Sequence, residues 1–514
     1  MIHLAASLLV TSAMATAQNS PLQEHIEDCE RGRATLESLC EHLAPPRHRM
    51  QATVETRSVS LRHGRRPDDH GTSESISDLR VFEVSTGAGS PWRVDVEMRA
   101  SKGGPGARLR INDFFAIQDR ADSPGAALDS ADALRAQLVQ RAAFPATLAH
   151  YLCTAGRVLN ANDTAAGGVD VLVALEGGKA LVRTIPVHYS LDESDVEVPG
   201  LVGVDWMTSS ELLGDVVESL TYLDAPPIAP GVVGGWTITG PLGTGEIARI
   251  TDVDLDSKVE PFAGGLFPDP EAAESNDADP SPIIELRELS AGAFELLIAK
   301  EAARSVAVDL GPGWAVLEAP VSSTIGEELI RALEREKPGH PFLYAAASHH
   351  HPHYIGALRP FVLRGATIVC PADVADYVEH VLSRPRTLKP DSLARSPKPV
   401  KIVGVEPEER WAPREAPGRL IAAEAAGHSA HTEAFMLFFL PEHQLAFGGD
   451  LLWLSNEESL RGPNPRTLGL KKILSDAEDL QATEFLTSWP AGGTPMRGQT
   501  WKDRVPIAEI LAVR

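Results

Sequence analysis

The sequence predicts a mixed α/β chain in two parts: a strand-rich α+β part, then one in which strands and helices alternate. Three observations carry this. Residues 48–260 hold period-two strand patterns around one helical stretch. Pro261–Pro282 is rich in Pro, Gly, Asp and Ser and has no periodicity, as a linker does. From Ile283 onward, short apolar runs alternate with amphipathic helical ones. At 514 residues the chain has length for about three average domains, and two large ones are expected. A formal charge of −24 argues against nucleic acid and anionic membranes as partners, since both need a basic face. No run approaches the roughly 18 apolar residues of a membrane helix.

Taken in order, Met1–Ala17 has a short apolar core and ends in Ala15-Thr16-Ala17. It reads as a signal peptide cleaved before Gln18, which implies a periplasmic or secreted protein, although its n-region offers only His3. Residues 18–46 form an N-terminal helical segment, with Leu22–His42 as the helix and Pro45-Pro46 as its stop. Cys29 and Cys40 lie in that helix, where eleven residues rise about 16 Å. Disulfide Cα atoms sit within about 7 Å, so the two pair only if the helix breaks near Gly32. Cys153 and Cys370 complete a set too small for a disulfide scaffold, and free or structural thiols are the reading.

Residues 47–260 are expected to form an α+β domain with a curved antiparallel sheet. Arg93–Met98 alternates as a half-buried strand, and Leu109–Gln118 reads as another. Ala126–Val158 is Ala- and Leu-rich and reads as helix interrupted near Pro145. Val169–Leu175 and Ala180–Val187 flank Glu176-Gly177-Gly178-Lys179, a hairpin signal. Glu218–Asp224 and Trp236–Leu255 follow, the latter broken at Gly240–Gly245. A concave sheet of this kind can take an apolar ligand. A packing domain with no site of its own is the plainer reading.

The chemistry gathers after residue 340. Ser348–Pro371 places four histidines in five residues, just past the strand-like run Phe342–Ala347 and ahead of Ala366–Val369. In an extended chain, side chains two apart point the same way, so His349 and His351 converge while His350 faces away. Two neutral imidazoles on one edge make a half-site for zinc or a similar ion. A histidine-rich surface loop is the plain alternative. Downstream, His428 follows the strand-like Leu420–Ala423, and a hairpin of Ala434–Leu440 and Leu445–Phe447 around Pro441–Gln444 leads to Asp450. His431 and Glu433 lie near His428, either as partners for a ligating ring or in solvent. His443 falls in the turn and reads as solvent-facing.

The order of these residues resembles the metallo-β-lactamase fold family, whose (T/S)HxHxDHxGG motif is followed by GH(S/T) and GD. Here Ser348–Ala357, Gly427-His428-Ser429 and Gly449-Asp450 occupy those places. Ser305–Pro320 looks like the family's strand with a DxG turn at Asp309–Gly311, and Thr324–Pro341 looks like its first helix. The resemblance covers roughly residues 283–495 and implies an αββα sandwich over residues 283–514. It implies a first metal site of His349, His351 and His428. The second site departs from the family: His353-Tyr354 replaces Asp-His, and Ala491 in Trp489–Gly493 stands where the last His belongs. The bridging carboxylate, Asp450, remains.

Two dications held close together repel unless anionic ligands offset them, and the substitution at His353 removes one anion. One divalent ion is therefore expected, zinc foremost with iron and manganese as alternatives. Asp450 or His353 would be its fourth ligand. The resemblance implies hydrolysis of a small-molecule ester, lactone, thioester or amide. Asp450 would orient the water or the metal, and Tyr354 would either donate to a developing oxyanion or simply pack. The alternative is a non-catalytic relative serving as a binding or scaffold module in the cell envelope. The layout of the N-terminal half also resembles the lipoprotein-carrier-type half-barrel of exported proteins with this fold.

Overall fold

Leu22–His42 forms a single helix, α1, unbroken at Gly32. A Cβ at Gly32 would stand 2.9 Å from Val158 Cγ1 and 3.0 Å from Val171 Cγ1, so glycine here lets the helix lie close on strands. Pairing of Cys29 with Cys40 is thereby excluded, and Cys29 Sγ instead donates to Leu159 O at 3.3 Å. The computed structural model describes residues 22–43, 49–60, 65–66, 71–83, 92–100, 107–111, 116–120, 123–127, 130–175, 178–191, 194–210, 212–223, 233–240, 243–254, 284–298, 303–425, 427–452, 463–488 and 504–513. Met1–Ala17, the linker Pro261–Pro282 and the Trp489–Gly493 loop lie outside them. The chain divides into two units: Met1–Ser60, Thr72–Ser209 and Asp215–Asp279, and then Leu61–Gly71, Ser210–Gly214 and Pro280–Arg514.

In the first unit, strands β1 (Arg49–Ser60), β2 (Gly71–Glu83), β3 (Trp92–Ala100), β4 (Ala107–Ile111), β5 (Ala116–Arg120) and β6 (Ser123–Ala127) precede two helices. These are α2 (Ser130–Arg141) and α3 (Pro145–Ala155), the second opened by Pro145 at a first-turn position, where its missing N–H costs nothing. Then come β7 (Arg157–Asp163), β8 (Val169–Leu175), β9 (Gly178–Leu191), β10 (Ser194–Ser210), β11 (Gly214–Tyr222), β12 (Gly235–Gly240) and β13 (Gly243–Asp254). All thirteen share one sheet, ordered β6-β5-β4-β3-β2-β1-β13-β12-β11-β10-β9-β8-β7. The chain thus builds two runs of neighbouring strands and joins them where β1 pairs antiparallel with β13, Gln51 opposite Asp254.

The strand expected over Leu109–Gln118 is two strands, β4 and β5, paired antiparallel. Asn112-Asp113, in the sequence between them, is turn chemistry that the alternation overrode. Leu36 and Leu39 of α1, Leu138 of α2, and Leu148 and Leu152 of α3 share a core with Trp206 and Trp236 of the sheet. Each such side chain taken fully out of water contributes about 1.5–3 kcal/mol.

In the second unit, the first sheet holds β14 (Ile284–Ser290), β15 (Ala293–Ile298), β16 (Ala303–Asp309), β17 (Trp314–Leu317), β18 (Phe342–Ala346), β19 (Thr367–Pro371) and β20 (Ile402–Val405), in that order. It is antiparallel from β14 to β17 and parallel from β17 to β20. Parallel neighbours need crossovers. These carry α4 (Ser323–Glu336), α5 (Pro352–Ile355), α6 (Leu358–Leu363), α7 (Ala375–Ser383) and α8 (Ser392–Arg395). Ser322 caps α4, its side chain accepting from Ile325 N. The second sheet holds β21 (Arg410–Trp411), β22 (Ile421–Glu424), β23 (Met436–Leu440), β24 (Leu445–Gly448), β25 (Glu484–Thr487) and β26 (Arg504–Pro506), with α9 (Pro465–Asp476) and α10 (Ile507–Leu511).

The layering follows from alternation within strands. Met436, Phe438 and Leu440 of β23 join Val306 and Val308 of β16 in a core between the sheets. Leu437 and Phe439 point the other way, onto Leu470 and Ile473 of α9. Ala303 and Ala307 of β16 likewise face Leu329 and Leu333 of α4. Strands buried on both faces read as continuous apolar runs, as Met436–Leu440 does. The result is helix, sheet, sheet, helix: an αββα sandwich. Among the described residues, no helix is long and apolar enough to cross a membrane.

Candidate metal centre

Strand ends from both sheets supply the centre. β18 finishes at Ala346, and the chain turns through Ser348-His349-His350-His351 into α5, with His351 at its N-cap and Pro352 in its first turn. Two backbone bonds fix this turn: Met436 N donates to Ser348 O at 2.8 Å, and Ala347 N donates to Val369 O at 3.0 Å. In the other sheet, β24 runs out through Gly449 into Asp450, whose φ of 55° lies in the left-handed region that Asp tolerates better than most residues. A Cβ on Gly449 would fall 1.9 Å from Tyr354 Oη, so only glycine leaves room for that hydroxyl. Tyr354 Oη hydrogen-bonds Ser488 Oγ at 3.0 Å, just past β25.

Ligand atoms of His349, His351, His353 and Asp450 all lie within 4.8 Å of one another. Asp450 Oδ2 is the hub: His353 Nε2 is 2.8 Å away, His431 Nε2 3.0 Å and His349 Nε2 3.9 Å. His431 Nε2 also stands 3.1 Å from His351 Nδ1. Ser348 Oγ bonds His349 Nδ1 at 2.8 Å, and Phe435 stacks on the same ring, which leaves Nε2 as the inward atom. That Nε2 is fully buried and has no hydrogen-bond partner among the described residues. His350 lies outside this group, with its ring edge-on to Tyr377 at 6.0 Å.

The electrostatics put His349 and Asp450 in ligand form. Burial, and then the neighbouring His351, push His349 well below its ordinary value, so it is neutral at pH 7. Burial opposes the charge on Asp450, but hydrogen bonds from His353 and His431 outweigh it and hold the carboxyl well below the usual carboxylate range. Tyr354 is pushed well above its usual value, by burial first and then by Asp450 and Glu318, so it keeps its proton. A neutral His349 ring and an ionised Asp450, beside the imidazoles of His351 and His353, are a borderline N/O donor set suited to zinc, iron or manganese. The buried, unpartnered His349 Nε2 is the atom such an ion would satisfy, and these residues fit a divalent ion.

His428 is not in this group. Its Nε2 lies 3.6 Å from Asp476 Oδ2, and its side chain is 39% exposed. The turn explains why: Gly427 has φ 73°, and buried Ser429 accepts through Oγ from His431 N and Thr432 N. The backbone of His428 packs against Gly469 of α9, where a Cβ would meet His428 O at 2.2 Å. His428 therefore faces α9, and His431, three residues on, is the ring that turns inward. The sequence held the clue in Ala430-His431-Thr432, which repeats the His-then-hydroxyl pair of Gly427-His428-Ser429. The glycine of the first pair is what singled out His428 in the sequence. Glu433 pairs with Arg66, and His443, expected in solvent, bonds Ser290 Oγ at 2.6 Å.

Sequence reasoning also missed Glu318. It sits at φ 63° just past β17, fully buried, with Oε2 accepting from Ser348 N at 3.1 Å. Its Oε1 has no partner among the described residues, and burial raises its pKa to about 8 against the Ser348 hydrogen bonds. A folded-state pKa above the unfolded value means the folded chain holds a proton that the unfolded chain has lost. Stability from this group is then present below the unfolded pKa of about 4.5 and falls by about 1.4 kcal/mol per pH unit up to about 8. Glu318→Gln should flatten that decline. The check is the urea midpoint of both chains at pH 5 and pH 8 in chelator, and equal slopes would show that Glu318 carries no extra proton.

No family model matches the chain, and no curated protein matches it. Solved structures similar to it include the DIM-1 metallo-β-lactamase, at 12% identity over 45% of this chain and 94% of that one, TM-score 0.31. The mono-zinc form of the FIM-1 metallo-β-lactamase from Pseudomonas aeruginosa is similar at 13% identity, covering 45% and 95%, TM-score 0.32. A metallo-β-lactamase from Pontibacter korlensis is similar at 13% identity, covering 44% and 95%, TM-score 0.31.

Proposed function

We propose that the chain is a metal-dependent hydrolase. Its one divalent ion would be held by His349, His351, His353 and Asp450, with His431 completing the set from the third segment. The observation that carries this reading is His349 Nε2, buried and unpartnered beside a second imidazole and a carboxylate from another sheet. A divalent ion there would polarise a carbonyl or phosphoryl oxygen and acidify water. Without the ion, Asp450 keeps His353 and His431 in place through the bonds at 2.8 and 3.0 Å, and a nitrogen that took up the ion would give up that hydrogen bond. Tyr354, protonated at neutral pH, offers its hydroxyl proton to an oxyanion that develops within reach, and Ser488 holds the ring's direction.

The donor set supports esters, lactones, thioesters and amides alike, and zinc is the proposed ion. Met1–Ala17 supports a periplasmic or secreted location. The test is to measure zinc, iron and manganese in the purified chain and to assay an ester, lactone, thioester and amide panel before and after chelation. About one ion per chain is expected, with turnover that falls on chelation and returns with metal. An ion without turnover on any member of the panel would leave a binding or scaffold module instead.

A further inference from the structure

The cysteines show no pattern in sequence, yet two of them meet in the first unit. Cys40 lies at the C-terminal end of α1 and Cys153 at the C-terminal end of α3, 113 residues apart in the chain, with Sγ atoms 2.7 Å from each other. Cys153 Sγ also donates to Leu36 O at 3.0 Å, which turns its side chain onto α1. Both thiols are half-buried against the core that holds Leu36, Leu39, Leu148 and Leu152. The other two are placed differently. Cys29 Sγ is spent on Leu159 O, and Cys370 is buried in the second unit, where burial pushes its thiol up to about 12.

We propose that Cys40 and Cys153 form a disulfide that ties α1 to α3, closed by exchange with a low-molecular-weight disulfide such as glutathione disulfide. Cys40 thiolate attacks one sulfur of the oxidant, forms a mixed disulfide and expels one glutathione thiolate. Cys153 thiolate then attacks the Cys40 sulfur and expels the second. Two protein thiols are oxidised, one glutathione disulfide is reduced, and the two thiol protons leave on the two glutathione molecules. Cys40 is the attacking group because the contact with the Cys153 sulfur at 2.7 Å lowers its thiol, against burial and the nearby Glu37 and Glu41. The closed loop is long, and long loops gain most from a cross-link.

The test uses the full chain, incubated with glutathione disulfide, acid-quenched, denatured and alkylated for intact-mass analysis. Two of the four cysteines should escape alkylation, with a mapped link between Cys40 and Cys153 that dithiothreitol reverses. The first-unit melting midpoint should rise by roughly 5–15 °C on oxidation. Cys29→Ser/Cys370→Ser should behave like the parent, whereas Cys153→Ser should trap glutathione on Cys40. Four alkylatable thiols after oxidation, a link through Cys29 or Cys370, or a Cys40–glutathione adduct that persists in the parent chain would overturn the proposal.

Discussion

Replacing His349 with alanine should weaken metal binding by at least about 100-fold and bring turnover down to the chelated level. The ring is the least replaceable of the group. It is fully buried, its Nδ1 is held by Ser348 and its face by Phe435, and its Nε2 has no hydrogen-bonding role of its own among the described residues. Removing it also leaves a cavity in a packed region, so folding must be read separately. A melting curve in chelator, where the ion stabilises neither chain, isolates that cost from lost binding. His350→Ala is the matched control, since it too removes a buried imidazole but one outside the ligand group. Equal losses of metal in the two variants would show that the rings at 349 and 350 have been assigned to the wrong sides of the turn.

The second large effect separates two histidines three residues apart. His431→Ala should cost at least about 100-fold in metal affinity, because Asp450 and His351 both lose the ring that stands 3.0 and 3.1 Å from them. His428→Ala should change affinity by less than about 3-fold, since that side chain meets Asp476 at the surface, where exposed pairs contribute little. Titration with zinc against a competing chelator reads both variants directly. The reverse ranking would return His428 to the centre and reject the turn built on Ser429.

The fold was more legible than the site. Leu22–His42, the break at Pro145 and the hairpin between Val169–Leu175 and β9 announce themselves through local periodicity and turn residues, and the structure places them there. The sandwich was legible because alternation within runs such as Met436–Leu440 sets which core each side chain enters. Convergence across distance was harder to read. Motif spacing brought His349, His351 and Asp450 to notice, but the local turn, set by Ser429 and Gly427, chose between His428 and His431. Glu318 gave no signal, since one acidic residue after the apolar Trp314–Leu317 looks like an ordinary strand end. Cys40 and Cys153 lie 113 residues apart, and only the packing of α1 on α3 joins them.

The backbone at Asp450 limits what evolution or an engineer can put there. A left-handed φ admits asparagine and glycine with little strain and penalises β-branched or bulky side chains. Charge and chain path are therefore separable at this one position. Asparagine keeps the loop and deletes the anion, whereas glutamate keeps the anion and strains the loop.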